Sequence, residues 1–216
     1  MNFLELQNLT LDWLDDDNAT YFTRAKVRTY INNAQRELQK LLLNSGEDWY
    51  VRGQETSTVV GQARYSFPSD FLKLQSLQLV TSGTGDTAET EVIWPLVRNE
   101  ANMVTSVQGD SFNYIMEKSV FRLIPAPQSV KTMRLDYSAR VADMSNDSDI
   151  PDAPLEYHEY LSIMGARDGF LKDGRSLQPI ESKLAYYEQL LKKDSEQRRQ
   201  DYPRMVVASD AGYGEY

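Results

Sequence analysis

The chain contains no cysteine and a single histidine, His158. Without cysteine there are no disulfides, thiolate nucleophiles or thiolate metal ligands, although the compartment stays open. With one histidine, imidazole chemistry has one candidate, and no H-E-x-x-H pair or second histidine at helical spacing supports it. No apolar run reaches the ~18 residues that cross a bilayer. The opening "MNFLELQNLTLDWLDDD" has neither the basic region nor the apolar core of an export signal, so the expectation is a protein that stays where it is made unless carried out. Basic residues are in deficit, with 23 Lys and Arg against 32 Asp and Glu and a formal charge of −9. A dedicated nucleic-acid clamp needs the opposite balance to displace counterions. A wall past which DNA slides does not, because weak contact helps there.

What is present is ordinary globular composition, 41% hydrophobic and 25% charged over 216 residues. A chain of this length buries roughly 70% of its unfolded surface, enough for one substantial core or two small ones. Phe3, Leu6, Thr10, Trp13 and Leu14 give the first segment an imperfect apolar helical side, ended by Asp15, Asp16 and Asp17. A second helix starts after Thr23, an N-cap candidate, with Val27, Ile31, Ala34, Leu38 and Leu41 recurring at spacings of four and three. Asn32 and Asn33 are poor helix formers that position must tolerate, and "NSG" at 44–46 supplies the stop.

The period then changes. "ETSTVV" (55–60), "QARYSF" (62–67) and "FLKLQSLQLV" (71–80) read as strands separated by "GQ" and "PSD" turns. In the third, Leu72, Leu74, Leu77 and Leu79 face a core, and the slip of phase between Leu74 and Leu77 predicts a bulge. "TSGTGDTAET" (81–90) reads as a hairpin tip, "EVIWPLV" (91–97) returns to an edge because of Pro95, and 98–108 forms a short helix. Strands near 112–117, 119–124 and 131–139 complete a small antiparallel sheet. Helices resume after Pro154. Tyr157, Tyr160, Leu161, Met164, Asp168 and Leu171 share one side of the third, and Leu177, Ile180, Leu184, Tyr187 and Leu191 mark the fourth, the two joined at "KDG".

Neither terminal pair of helices can bury its stripe alone. The fold class expected is therefore α+β: a helical bundle built from 1–47 and 146–200, an inserted antiparallel β domain over 48–145, and an extended arm at 201–216.

Candidate chemistry is sparse. His158 lies between Glu156 and Glu159, with Asp152 nearby, but a first-turn residue bonding locally explains it as well as catalysis does. "GTGD" (83–86) lacks the lysine and Ser/Thr of a phosphate loop. Asp147, Asp149 and Asp152 do not follow calcium-loop spacing, and Pro151 interrupts them. The expectation is no catalytic residue, no metal and no cofactor. Arg24, Lys26 and Arg28 gather at the start of the second helix, and Lys192, Lys193, Arg198 and Arg199 at the end of the fourth. Dipole and solvation explain the latter, while a DNA-facing patch or a carboxylate-rich partner would also satisfy these charges. Tyr157, Tyr160, Tyr186 and Tyr187 are many for one narrow seam, which suits either a polar-edged core or a subunit boundary. Gly165 and Ala166 remove bulk where helices approach, at about 1 kcal/mol for glycine in a helix.

Four stretches, in order, resemble the head-to-tail adaptor or head-completion proteins of tailed bacteriophages: "YFTRAKVRTYINNAQRELQKL" (21–41), "GQARYSFPSDFLKLQSL" (61–77), "VFRLIPAPQSVKTMRLDYSAR" (120–140), and "IPDAPLEYHEYLSIMGARDGFLKD" followed by "ESKLAYYEQLLKK". Asn32 stands where an asparagine often interrupts the family's early helix. The resemblance implies a homo-oligomeric ring of twelve copies below the portal vertex, made in the host cytoplasm and resident at the virion's head–tail connection. That ring would extend the DNA channel for packaging and ejection without sequence-specific binding, and would dock a tail nozzle or tail-tube protein. On this reading Tyr157, His158, Tyr160, Met164, Gly165, Arg167, Asp168, Tyr186 and Tyr187 are structural or subunit-interface residues. The arm, with Tyr202, Met205, Val206, Val207, Tyr213 and Tyr216, reaches the portal protein. The long polar hairpin at 81–90 departs from the family pattern. A tail-completion or nozzle component, a carboxylate-dependent cell-wall hydrolase and a DNA-binding module are the alternatives.

Overall fold

A computed structural model of the chain describes residues 1–45, 48–83, 89–96 and 113–201, without the side chains of 45 and 195–201. The fold is mixed α+β, with helices from both ends of the chain flanking a β region. Contacts divide it into two compact units, Met1–Glu47 with Asp143–Tyr216, and Asp48–Ala142.

In the first unit α1 (Phe3–Trp13) begins at a capping box. Asn2 Oδ1 accepts from Glu5 N and Glu5 Oε2 accepts from Asn2 N, both at 2.9 Å. The next two N–H groups, of Phe3 and Leu4, donate to the carbonyls of Asp149 and Asp147 at 2.8 and 3.0 Å, so the segment leading into the last two helices finishes the cap of the first. The acidic cluster does more than end α1. The Asp16 carboxylate accepts N–H groups from Thr20, Tyr21 and Phe22 at 2.7–2.9 Å, and these bonds, that from Phe22 foremost, hold its pKa below the usual range.

Helix α2 (Arg24–Ser45) follows Thr23, whose carbonyl accepts from Lys26 and Val27. Val27, Ile31, Ala34 and Leu38 are buried as the spacing requires, but the stripe continues to Leu42, while Leu41 is exposed. A 3.6-residue turn drifts over 22 residues, and Leu42 is the position that comes round to the core. A 3₁₀ turn, Leu155–Tyr157, leads into α3 (His158–Asp173). Here the one-sided expectation fails. Ten residues of α3, Ser162, Ile163, Gly169 and Phe170 among them, are buried on all sides, because α1, α2 and the last helix surround it, and Leu171 is exposed. Gly174, at φ 68°, ends α3 in the left-handed conformation, and the Arg175 N–H closes the cap onto Phe170 O at 3.0 Å. In α4 (Gln178–Asp201), Ile180, Tyr187 and Leu191 are buried and Leu184 half-buried, as is Leu177 just before the helix.

Among the described residues the β unit is two sheets rather than one. The first has the order β1 (Val51–Ser57), β8 (Thr132–Ala139), β3 (Phe71–Ser82), β4 (Glu89–Val92), all antiparallel. The second has the order β2 (Arg64–Ser66), β7 (Val120–Ile124), β6 (Asn113–Glu117), β5 (Trp94–Pro95), with β5 parallel to β6. Tyr65, Phe121 and Leu123 from the second meet Leu77, Leu79, Met133, Leu135 and Tyr137 from the first in one core, a two-layer sandwich. Alternation along a strand reports which residues face inward, not which other strand covers them, so the second sheet escaped the sequence reading.

Several strands shift accordingly. The first strand runs from Val51 to Ser57 instead of 55–60, leaving Val59 and Val60 exposed in a loop. Strand β3 carries register shifts at Leu74/Ser76, where the phase slip pointed, and also at Phe71/Lys73. The second shift turns Phe71 inward and leaves Leu72 exposed rather than in the core. The short helix at 98–108 and the tip of the 81–90 hairpin beyond Gly83 lie outside the described residues.

Candidate functional site

Of the sequence candidates, the structure brings most together around α3. His158 is buried, with Nε2 3.1 Å from the Ala153 carbonyl and Nδ1 3.0 Å from the Met1 amino nitrogen. Burial pushes its pKa below the ordinary value, against the pull of the Ala153 carbonyl, so the ring is a neutral donor to Ala153 O. Among the described residues no group of three or more His, Asp or Glu could hold a metal.

The tyrosines tie α3 to α4. Tyr157 donates its hydroxyl to Asp194 Oδ2 at 2.6 Å, and Tyr187 donates to Glu159 Oε2 at 2.6 Å. Lys183 completes the pair, donating to Glu159 Oε1 at 2.9 Å with its ammonium 4.9 Å from the Trp13 ring centre. The Tyr187 hydroxyl and Lys183 hold the Glu159 carboxyl below its usual range, while burial and Glu159 raise Tyr187. Tyr160 lies against Tyr187 at 5.4 Å between ring centroids, and burial pushes its hydroxyl up to about 12. Tyr186 alone of the four faces solvent, 61% exposed.

Glycines set how closely the helices approach. A Cβ on Gly165 would stand 3.3 Å from Ile31 Cγ1, and one on Gly169 would stand 2.6 Å from Leu14 Cδ2. The Gly165-x-x-x-Gly169 spacing puts both on one face of α3 and is the sequence signal that would have revealed Gly169. Met164 is buried, and beside it Arg167 donates to Glu37 at 2.8 Å and to Asp168 at 3.2 Å, tying α2 to α3.

Other candidates resolve into local structure. Arg28 donates to Asp147 and, at 3.2 Å, to the Oε1 of buried Gln7, whose own amide donates to Asp147 at 3.2 Å. Arg24 donates to Asn8 at 3.0 Å and Lys26 to the Tyr21 carbonyl at 3.3 Å, so each cation of this group has a partner within the unit. Asp149 accepts the N–H groups of Ser145 and Asn146 at 2.7 and 2.8 Å, which lowers its pKa, the Asn146 bond first. These acids are therefore turn and ion-pair residues. Sequence reasoning missed what Asn32 does: its amide donates to Met144 O and accepts from Met144 N, both at 3.0 Å, as a strand partner would. A polar residue poorly suited to a helix interior, flanked by an apolar stripe, was the available signal. Tyr202, Met205, Val206, Val207, Tyr213 and Tyr216 lie outside the described residues, as do the side chains of Arg198 and Arg199.

Among the described residues no helix is long and apolar enough to cross a membrane. Residues 1–209, nearly the whole chain, match the family described as SU10 adaptor protein. No curated protein matches the chain.

Proposed function

We propose a mechanical role from one premise: this chain belongs to the SU10 adaptor protein family, head-to-tail connectors that are structural and non-catalytic. The connector role follows from that membership, and the match over residues 1–209 is the observation that carries it. The finer reading is a closed ring of identical subunits, twelve by the resemblance above, seated between portal and tail. Such a ring repeats a modest interface until no open end remains. Acidic side chains turned to its lumen would repel the phosphate backbone and let duplex DNA pass without sticking, which agrees with a charge of −9.

Within a subunit, Tyr157, His158, Tyr160, Met164, Gly165 and Tyr187 are buried and act as structural residues that set the shape of the helical unit. Half-buried Arg167 and Asp168 and exposed Tyr186 are the members with surface to offer a neighbour. Residues 201–216 are proposed as the portal-binding arm, its ordering on the portal making completion follow portal assembly.

Electron microscopy of the purified chain with and without portal protein tests this reading. The expected result is a ring on the portal's outer face, and a position distant from the portal would replace it with a tail-completion role. Deleting residues 201–216 should abolish capture by the portal while leaving the thermal unfolding midpoint within about 2 °C of the intact chain. Capture by the truncated chain at wild-type level would reject the arm's role.

A further inference from the structure

The β unit carries a recess and a projection on opposite sides. Among the described residues, strands β1 and β2 are end strands of their sheets and stand together, because one cleft of about 230 Å³ opens between them. Its lining includes the buried core residues Tyr65, Phe121, Met133 and Leu135, so the sandwich is incompletely closed on this side. That volume is below the ~300–1,000 Å³ of small-molecule sites and suits one large side chain. Thr56 and Arg64 stand at the mouth, and the Arg64 side chain keeps 65% of its surface in solvent despite its pair with Glu117.

The other ends of the two sheets, β4 and β5, are consecutive in the chain. They are joined through buried Ile93, whose N–H donates to Leu77 O at 2.8 Å. On either side of Ile93, Val92 is 42% and Trp94 65% exposed, and Glu89 and Glu91 of β4 are exposed as well. Trp94 is thus an exposed aromatic beside a carboxylate pair, and the cleft is a recess that reaches buried core side chains, with the polar residues Gln54, Thr56, Gln62 and Ser66 and an arginine in its lining. Tryptophan and arginine are the residues that most often carry interface energy.

We propose that Trp94 of one subunit seats in the β1/β2 cleft of the next, with Glu89 and Glu91 facing Arg64. The occupant is a second copy of this chain because an exposed tryptophan beside two carboxylates matches in size and charge a cleft of this volume beside an arginine, and the two lie at opposite ends of the sheets of one sandwich. Two such unlike patches cannot pair about a two-fold axis. They join head to tail, and a head-to-tail contact closes into a ring or runs on as a filament. The inference rests on the ring reading and names one contact that would build it.

The test is sedimentation velocity of the full chain, alone and bound to portal protein, for wild type, Trp94→Glu, Thr56→Trp and an equimolar mixture of the two variants. Both positions are exposed, so the variants should unfold at wild-type temperature. Each variant alone should lose the ring, with self-association weakened about 30-fold or more. The mixture should form a dimer and stop there, because the Thr56→Trp chain keeps its tryptophan and the Trp94→Glu chain keeps its cleft. A ring that survives both substitutions, or a mixture without dimer, overturns this contact and leaves the ring reading standing. A wild-type chain that is monomeric both alone and on the portal overturns the ring reading, and this contact with it.

Discussion

Replacing Asn32 by alanine tests whether a helix-breaking residue is kept for a bond to a distant backbone. The substitution removes two hydrogen bonds to Met144, whose backbone is held where the residue is only 6% exposed. At about 0.5–1.5 kcal/mol net for each bond, the loss is about 1–3 kcal/mol. Alanine returns about 0.5 kcal/mol of helix propensity, so the expected net destabilisation is about 1.5 kcal/mol. With a urea slope of about 2 kcal/mol/M, the unfolding midpoint followed by circular dichroism at 222 nm should fall by about 0.7 M. Asn32→Asp sharpens the test. It has the same shape and keeps the acceptor for Met144 N–H, yet sets a carboxylate oxygen against the Met144 carbonyl, 3.0 Å from the lost donor. It should be at least as damaging as alanine at neutral pH. If both variants unfold within about 0.2 M of wild type, the bond does not explain the residue.

Gly169→Ala should destabilise in spite of its better helix propensity, because the new Cβ meets fully buried Leu14 at 2.6 Å. Overpacking of this kind costs about 1–3 kcal/mol, against about 1 kcal/mol gained. A Gly169→Ala/Leu14→Val double variant should recover part of the loss, and strict additivity in a double-mutant cycle would refute the contact. His158 predicts a pH dependence. Burial lowers its pKa in the fold, so the unfolded chain, at about 6.5, takes up the proton first as pH falls. The contribution is fully present above pH 6.5 and is lost as pH falls through the folded value. The melting temperature of wild type should therefore decline from pH 7 towards pH 5, and His158→Gln, less stable throughout, should show a flatter decline. Equal slopes would remove His158 as the cause.

Where the controlling interaction lies within a few residues, the sequence was readable. Asp15–Asp17 end α1, the four-three spacing of α2 reaches the core from Val27 to Leu38, and the phase slip in 71–80 marks a bulge that β3 contains. These features follow from helical and strand periods, which a chain carries in its residue order alone. Tertiary structure decided the rest. Leu42 displaced Leu41, and α3 became surrounded rather than one-sided, because burial depends on how many neighbours a helix acquires. Leu72 turned outward only because a second shift in the pairing with β8 reset the phase of β3. Asn32, Arg28 and Asp147 have partners more than a hundred residues away, and nothing in local propensity distinguishes a cation or amide with such a partner from one in water. The sequence by itself determined the succession of two helices, a strand-rich region and two more helices and, through a resemblance spread along the chain, the family. The split of the β region into two sheets, and with it the cleft between β1 and β2, came only from folding, because strand pairing across a sandwich is set by which distant faces exclude water together.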